Sequence, residues 1–78
     1  MPRFFFPTTA DGTEVADTVG SEHQTSACAL QEGRAHVREM AMERLRQGDL
    51  NFKEMVEIRA EDGTVIGRRA IAVSCADT

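Results

Sequence analysis

Cysteine is scarce in this chain: Cys28 and Cys75 are the only two. That excludes the dense disulfide framework of a small secreted scaffold, and neither a CxxC pair nor Cys/His ligand spacing occurs. A reduced, cytoplasmic chain is the expectation. Long apolar runs are missing as well. None approaches the roughly 20 residues that span a bilayer, so no membrane segment is expected. The opening Met1 to Pro7 carries one positive charge but lacks the apolar stretch of about 7–15 residues that an export signal needs. Positive charge is in the minority, with thirteen acidic against nine basic residues and a net charge of −4. Such a balance repels phosphate backbones, and general nucleic-acid binding is disfavoured. With 78 residues there is no room for a second core, so residues 1–78 are expected to form one domain. A core of this size supplies only about 3–5 kcal/mol on its own. With disulfides and metals poorly provided for, oligomerisation is the support that remains.

What is present is a pattern of turns and periodicities. Phe4 to Thr9 is apolar and β-prone, Thr13 to Ala16 is short and mixed, and Asp11-Gly12 lies between them. Asp-Gly favours the type I′ hairpin turn, whose twist matches that of paired strands. Ala10 then faces Thr13 and Thr8 faces Val15, which puts Phe4, Phe6, Thr8 and Val15 on one face and Phe5 on the other. Pro7 has no N–H to donate and suits an edge or a strand end. A helix is predicted to begin near Thr25 or Ser26, either of which can cap it, and to stop at Gly48. Its apolar stripe is Leu30, Val37, Ala41 and Leu45, with Met40 at the margin, and Gly33 weakens it by up to about 1 kcal/mol relative to alanine. Met55 to Glu61 and Thr64 to Val73 flank a second Asp-Gly pair, Asp62-Gly63. Ala60 should face Val65, placing Val56, Ile58, Ala60, Val65, Ile71 and Val73 on one face and Glu57 opposite Arg68 on the other. Arg69 falls on the apolar face, where its head must snorkel out unless a bulge at Gly67 resets the register. The expected fold class is α+β: a hairpin, a helix and a hairpin (ββαββ), with a four-stranded, mostly antiparallel sheet and the helix packed on one face.

Met1-Pro2-Arg3-Phe4-Phe5-Phe6, Asp11-Gly12, Asp17-x-x-Gly20-x-Glu22, Leu30-Gln31-Glu32-Gly33-Arg34-Ala35 and Asp62-Gly63 together carry a resemblance. The chain resembles a family of small uncharacterised bacterial proteins, common in alphaproteobacteria, that open with Met-Pro-Arg-aromatic-Phe-Phe. It departs from that pattern at Pro7 and Thr8, and again at Ala70-Ile71-Ala72-Val73. The resemblance implies a free-standing bacterial domain with no assigned activity, and it brings no site residues.

Candidate chemistry is thin. Asp17, Gly20 and Glu22 set two carboxylates near a glycine, but Ca²⁺ wants about six to eight oxygens, and turn and helix-entry structure explains these residue types better. His36 lies one turn from Glu32, yet zinc catalysis normally takes three protein ligands, and His23 adds none at helical spacing. Cys28 opens the helix, where the dipole lowers a thiol pKa; with no base to pair it, a buried inert thiol is expected. Arg34, Arg38, Arg44 and Arg46 interleave with Glu32, Glu39 and Glu43 in surface pairs, while Arg59, Arg68 and Arg69 could form a basic patch. No catalytic, cofactor-binding or metal site is therefore assigned.

The expected role is a non-enzymatic cytoplasmic interaction module that binds protein, first of all itself. If Phe4 and Phe6 meet the helix, Phe5 must lie on the opposite face, and no second helix covers it. By the hairpin register Met55, Ile66 and Ala70 share that face, so Phe5, Met55, Ile66 and Ala70 are the candidate homodimer interface. The alternative is a small regulator linked to nucleic acid, because the hairpin, helix and hairpin outline is loosely similar to antitoxin domains of the HicB type.

Overall fold

A computed structural model describes residues 1–76 of the chain. In chain order the elements are β1 (Arg3–Phe5), β2 (Thr8–Ala10), β3 (Thr13–Val15), β4 (Ser21–Glu22), α1 (Ser26–Arg46), β5 (Phe52–Ala60) and β6 (Val65–Val73). The fold is α+β, but the expected four-stranded ββαββ layout is wrong: six strands form one antiparallel sheet, with β5 at its centre. β1 and β2 lie along one side of β5 and β6 along the other, while β4 and β3 flank β1 and β2 on the outside.

The two extra strands arise from two interruptions. Phe4 faces Ala60 and Phe5 faces Arg59, and beyond the break Thr8 faces Val56 and Ala10 faces Glu54, so one line of residues runs beside β5 throughout. Pro7 divides it. Its carbonyl accepts the Glu57 N–H at 2.9 Å, but it has no N–H to return. The outer row is divided in turn by the loop from Ala16 to Gly20 between β3 and β4.

The two Asp-Gly pairs make different turns. Asp11 (φ 49°) and Gly12 (φ 87°) both sit at positive φ, as type I′ requires, and Thr8 faces Val15. At Asp62-Gly63 only the glycine is left-handed (φ 89°); Gly63 N–H donates to Ala60 O and Ala60 N–H to Thr64 O, which makes a three-residue loop. Arg59 rather than Ala60 therefore faces Val65. The register shifts back between Arg59 and Ile58, which faces Gly67, so Ile66 is the extra residue of a bulge. Val65 is consequently 37% exposed instead of buried. Arg69 lies opposite Val56 and is exposed at the rim.

Thr25 caps the helix, its hydroxyl accepting the Cys28 N–H at 3.1 Å. The other end closes at Gly48 (φ 95°), with Gly48 N–H on Leu45 O and Asp49 N–H on Arg44 O. The buried stripe is Ala29, Gly33, Val37 and Ala41, whereas Leu45, expected in the core, is 46% exposed. Small residues prevail because the helix lies close to the sheet. A Cβ on Gly33 would stand 2.6 Å from Cγ1 of the fully buried Ile58. With Phe4, Phe6, Phe52 and Val56 these side chains make up the core.

In an ordinary helix Gly→Ala gains up to about 1 kcal/mol; Gly33→Ala should instead lose about 1–3 kcal/mol through overpacking against Ile58. Thermal melts decide between the two, and a Tm raised by the substitution would contradict the close approach.

Candidate functional site

Even-numbered residues of β5 face the helix, and among the described residues no helix covers the other face of the sheet. Met55 stands between Thr9 on β2 and Ala70 on β6, which brings two of the four expected interface residues together. Phe5 lies on the same face but beside Arg59, separated from Met55 along β5 by Glu57. Ile66 does not join them. Carried by the bulge, it packs against the core cluster. The open face is also more polar than four apolar residues suggest. Glu57 accepts from Arg59 Nε and, at 3.2 Å, from Arg68 Nε, while Arg59 Nη2 reaches Glu14 at 3.8 Å. The Arg59 hydrogen bond first, and then Arg68, hold the Glu57 carboxyl below its ordinary range against the opposing effect of burial. Phe5 is half-buried by its own chain, because the Gly20 loop lies on its ring: a Cβ there would come 2.9 Å from Phe5 Cε1.

The carboxylates of Asp17-x-x-Gly20-x-Glu22 are engaged within the fold. Asp17 Oδ2 accepts the Phe6 N–H at 2.9 Å, and Oδ1 accepts Val19 and Gly20 N–H at 3.1 and 3.0 Å. Burial pushes the Asp17 carboxyl up, but the donors at Gly20, Phe6 and Val19 outweigh it and the net direction is down. Glu22 pairs with Arg3 at 3.5 Å on the surface. Beside this loop a groove is lined by Phe6, Thr8, Val15, Asp17, Glu32 and His36. His23 packs against Phe4 and Phe6, its ring edge-on to Phe6 at 5.8 Å, and its Nε2 meets Ser21 Oγ at 2.9 Å. Cys28, expected to be buried, is exposed, as is Cys75, and both thiols are free. Among the described residues no group of three or more His, Cys, Asp or Glu side chains is placed to hold a metal ion.

Arg44 is the residue that sequence patterning assigned to the surface and the structure puts to work. Its Nη1 donates to Glu54 Oε1 at 2.8 Å, its Nη2 to Asp11 Oδ2 at 2.7 Å and its Nε to Asp49, while the guanidinium lies 4.9 Å from the Phe52 ring centroid. Glu54 is only 3% exposed and stands in the core-facing row with Phe52, Val56 and Ile58. Arg44, together with the Lys53 amide, lowers the Asp11 carboxyl from its usual value. The legible signal was Glu54 itself, an acid at a core position of an alternating strand, which demands a buried cation.

Removing that cation should be severe. Arg44→Ala is expected to lower the urea midpoint clearly, because it strands the buried Glu54, whereas Arg38→Ala should leave the midpoint near that of the wild type. Coincident urea midpoints for the two variants would exclude the pairing. At Asp17 the lowered pKa means that the carboxylate stabilises the fold above the unfolded value, about pH 4, and ceases to do so as pH falls through the folded value. Asp17→Ala should therefore melt well below the wild type at about pH 7, and the gap should narrow as pH falls below about 4. A gap of constant size across that range would show that the charge is irrelevant.

No curated protein and no solved structure matches the chain. One family does, and it covers β1 through nearly all of β6. Residues 3–72 match the family described as Domain of unknown function (DUF6894), and the chain belongs to it.

Proposed function

We propose that the domain is a non-catalytic protein-interaction module that self-associates, two copies meeting through the open face of the sheet. The observation that supports this is the one-sided layering: among the described residues a single helix covers one face, and Phe5, Met55 and Ala70 remain on the other with nothing packed over them but their own loop and ion pairs. The charges on that face favour a second copy over an unrelated partner. Arg68 at one margin and Glu14 at the other are 60% and 62% exposed at their side chains. A two-fold axis can set Arg68 of one copy against Glu14 of the other, making the patch complementary to itself. A dimer also adds buried area to a small core. Free Cys28 and Cys75 are in keeping with a reducing compartment, and we place the domain in the cytoplasm.

Size-exclusion chromatography with light scattering should find a dimer at micromolar concentration. Phe5→Glu should give a monomer, and because Phe5 also touches Gly20, Met55→Glu serves as the second variant, with circular dichroism confirming that each is folded. A wild type that stays monomeric at millimolar concentration, or folded variants that remain dimeric, would sink the proposal.

A further inference from the structure

β6 is an edge. Its inner side pairs with β5 over nine residues of strand, and its outer side carries no strand among the described residues. The pairing pattern tells which backbone groups are free. Odd-numbered β5 residues turn toward β2 and the break beside it: Glu57 N–H goes to Pro7 O, and Lys53 O receives the Asp11 N–H. Even-numbered β5 residues therefore bond to β6, and their partners there are Val73, Ile71, Arg69 and Gly67. It follows that Arg68, Ala70 and Ala72 direct their N–H and C=O groups outward. One of these has found a substitute partner: the Arg68 carbonyl accepts Arg69 Nη1 at 2.8 Å.

The same edge borders a stripe of unpaired positive charge. Arg34 and Arg38 lie one turn apart on α1, and with Arg69 they line a groove floored by Val37 and Ile71. None of the three makes an ion pair among the described residues, although the chain carries a net charge of −4 and Arg3, Arg44, Arg46, Arg59 and Arg68 are all paired. We propose that the β6 edge and the Arg34, Arg38 and Arg69 stripe together form a docking site for an acidic extended segment of another protein, which adds a strand beside β6. Its main chain would pair with Arg68, Ala70 and Ala72, and its acidic side chains on the helix side would meet the three guanidinium groups. A peptide fits better than a nucleic acid because the free ladder asks for a backbone with alternating N–H and C=O. A second copy of this chain fits poorly, since pairing β6 with itself would bring two sets of unpaired arginines together. The edge shares Arg68 and Ala70 with the open face but engages their main chain, whereas the dimer engages side chains, so the failure of one proposal leaves the other standing.

The probe is a fluorescein-labelled peptide alternating glutamate with valine, measured by fluorescence anisotropy against the same peptide with lysine for glutamate and against oligothymidylate. The wild type should bind the glutamate peptide, more weakly as salt rises, and should not bind the lysine peptide. Ala70→Pro removes an outward N–H and leaves the β5 ladder intact, a position where an edge strand tolerates proline. It should weaken binding by at least about tenfold, as should the exposed pair Arg34→Glu with Arg38→Glu. No binding of the glutamate peptide, equal binding of the lysine peptide, or affinity unchanged in folded Ala70→Pro would overturn the site. Oligothymidylate bound more tightly than the peptide, by the same arginines and regardless of Ala70→Pro, would reassign the stripe to nucleic acid.

Discussion

The sheet depends on how the chain deals with two neighbouring amides, the one that Pro7 lacks and the one that Phe6 turns outward. Along an antiparallel strand successive residues direct their hydrogen-bonding groups to opposite sides. Phe4 finds β4 and Thr8 finds β3, but Phe6 lies between them, where the outer row is broken. A buried N–H left without an acceptor would cost about 1–3 kcal/mol, a large part of what a domain this small can hold. The Asp17 carboxylate takes the place of the missing strand. By holding Val19 and Gly20 with its other oxygen it also closes the loop on itself. That closure lays Gly20 on the Phe5 ring and brings Ser21 into register with Phe4, which sets His23 against Phe4 and Phe6 shortly before the helix begins.

Arg44 does for the other end of the helix what Asp17 does for the entry. One guanidinium joins the last turn of α1 to the buried Glu54 on β5, to Asp11 in the β2–β3 turn and to Asp49 beyond the helix. The fork geometry of arginine suits three carboxylates at once; a lysine would offer a single compact charge. Two charged residues thus fix the helix over the sheet at both ends, and between them the stripe of Ala29, Gly33, Val37 and Ala41 lets the backbones approach. Burial of Glu54 adds orientation rather than driving force. It fits only when Arg44 is over it, so a helix shifted by one turn would strand the carboxylate.

Local chemistry was readable where local chemistry decides. The Thr25 cap, the left-handed Gly48 and the Asp11-Gly12 turn with Thr8 opposite Val15 all follow from residue types at short range. Asp62-Gly63 shows the limit, since the same dipeptide sits one position later in a longer turn and shifts every pair up to the bulge. Pro7 was legible as a missing donor, yet whether it ends a strand or interrupts one depends on β5 running past it, a partner some fifty residues away. The helix stripe was misjudged at Leu45 because hydrophobicity ranks leucine above glycine, while a close contact with Ile58 selects for size. For the candidate interface, Met55 and Ala70 lie where alternation puts them, and Ile66 does not because a bulge reverses its side. Arg44 and Glu54 could not be paired from spacing, since the Gly48 turn and the return of the chain set the distance between them.

The two margins of the sheet are closed in opposite ways. The β3 and β4 side is short, divided and tied down by Asp17, which leaves little continuous backbone for another chain to read. β6 is a single nine-residue strand, the kind of edge that invites unselective pairing unless charge or irregularity guards it. It has both guards, a bulge at Ile66 near the turn and the arginines at 68 and 69. A bulge disrupts pairing for any incoming strand, whereas a guanidinium repels one class of side chain and attracts another. Arg69 held against the Arg68 carbonyl covers the edge only while no better partner arrives, because its bond to a neutral oxygen is weaker than one to a carboxylate. The protection therefore discriminates: it turns away apolar and basic strands, and with them a second copy of β6, while an acidic strand can draw Arg69 off the carbonyl and pair with the backbone it uncovers.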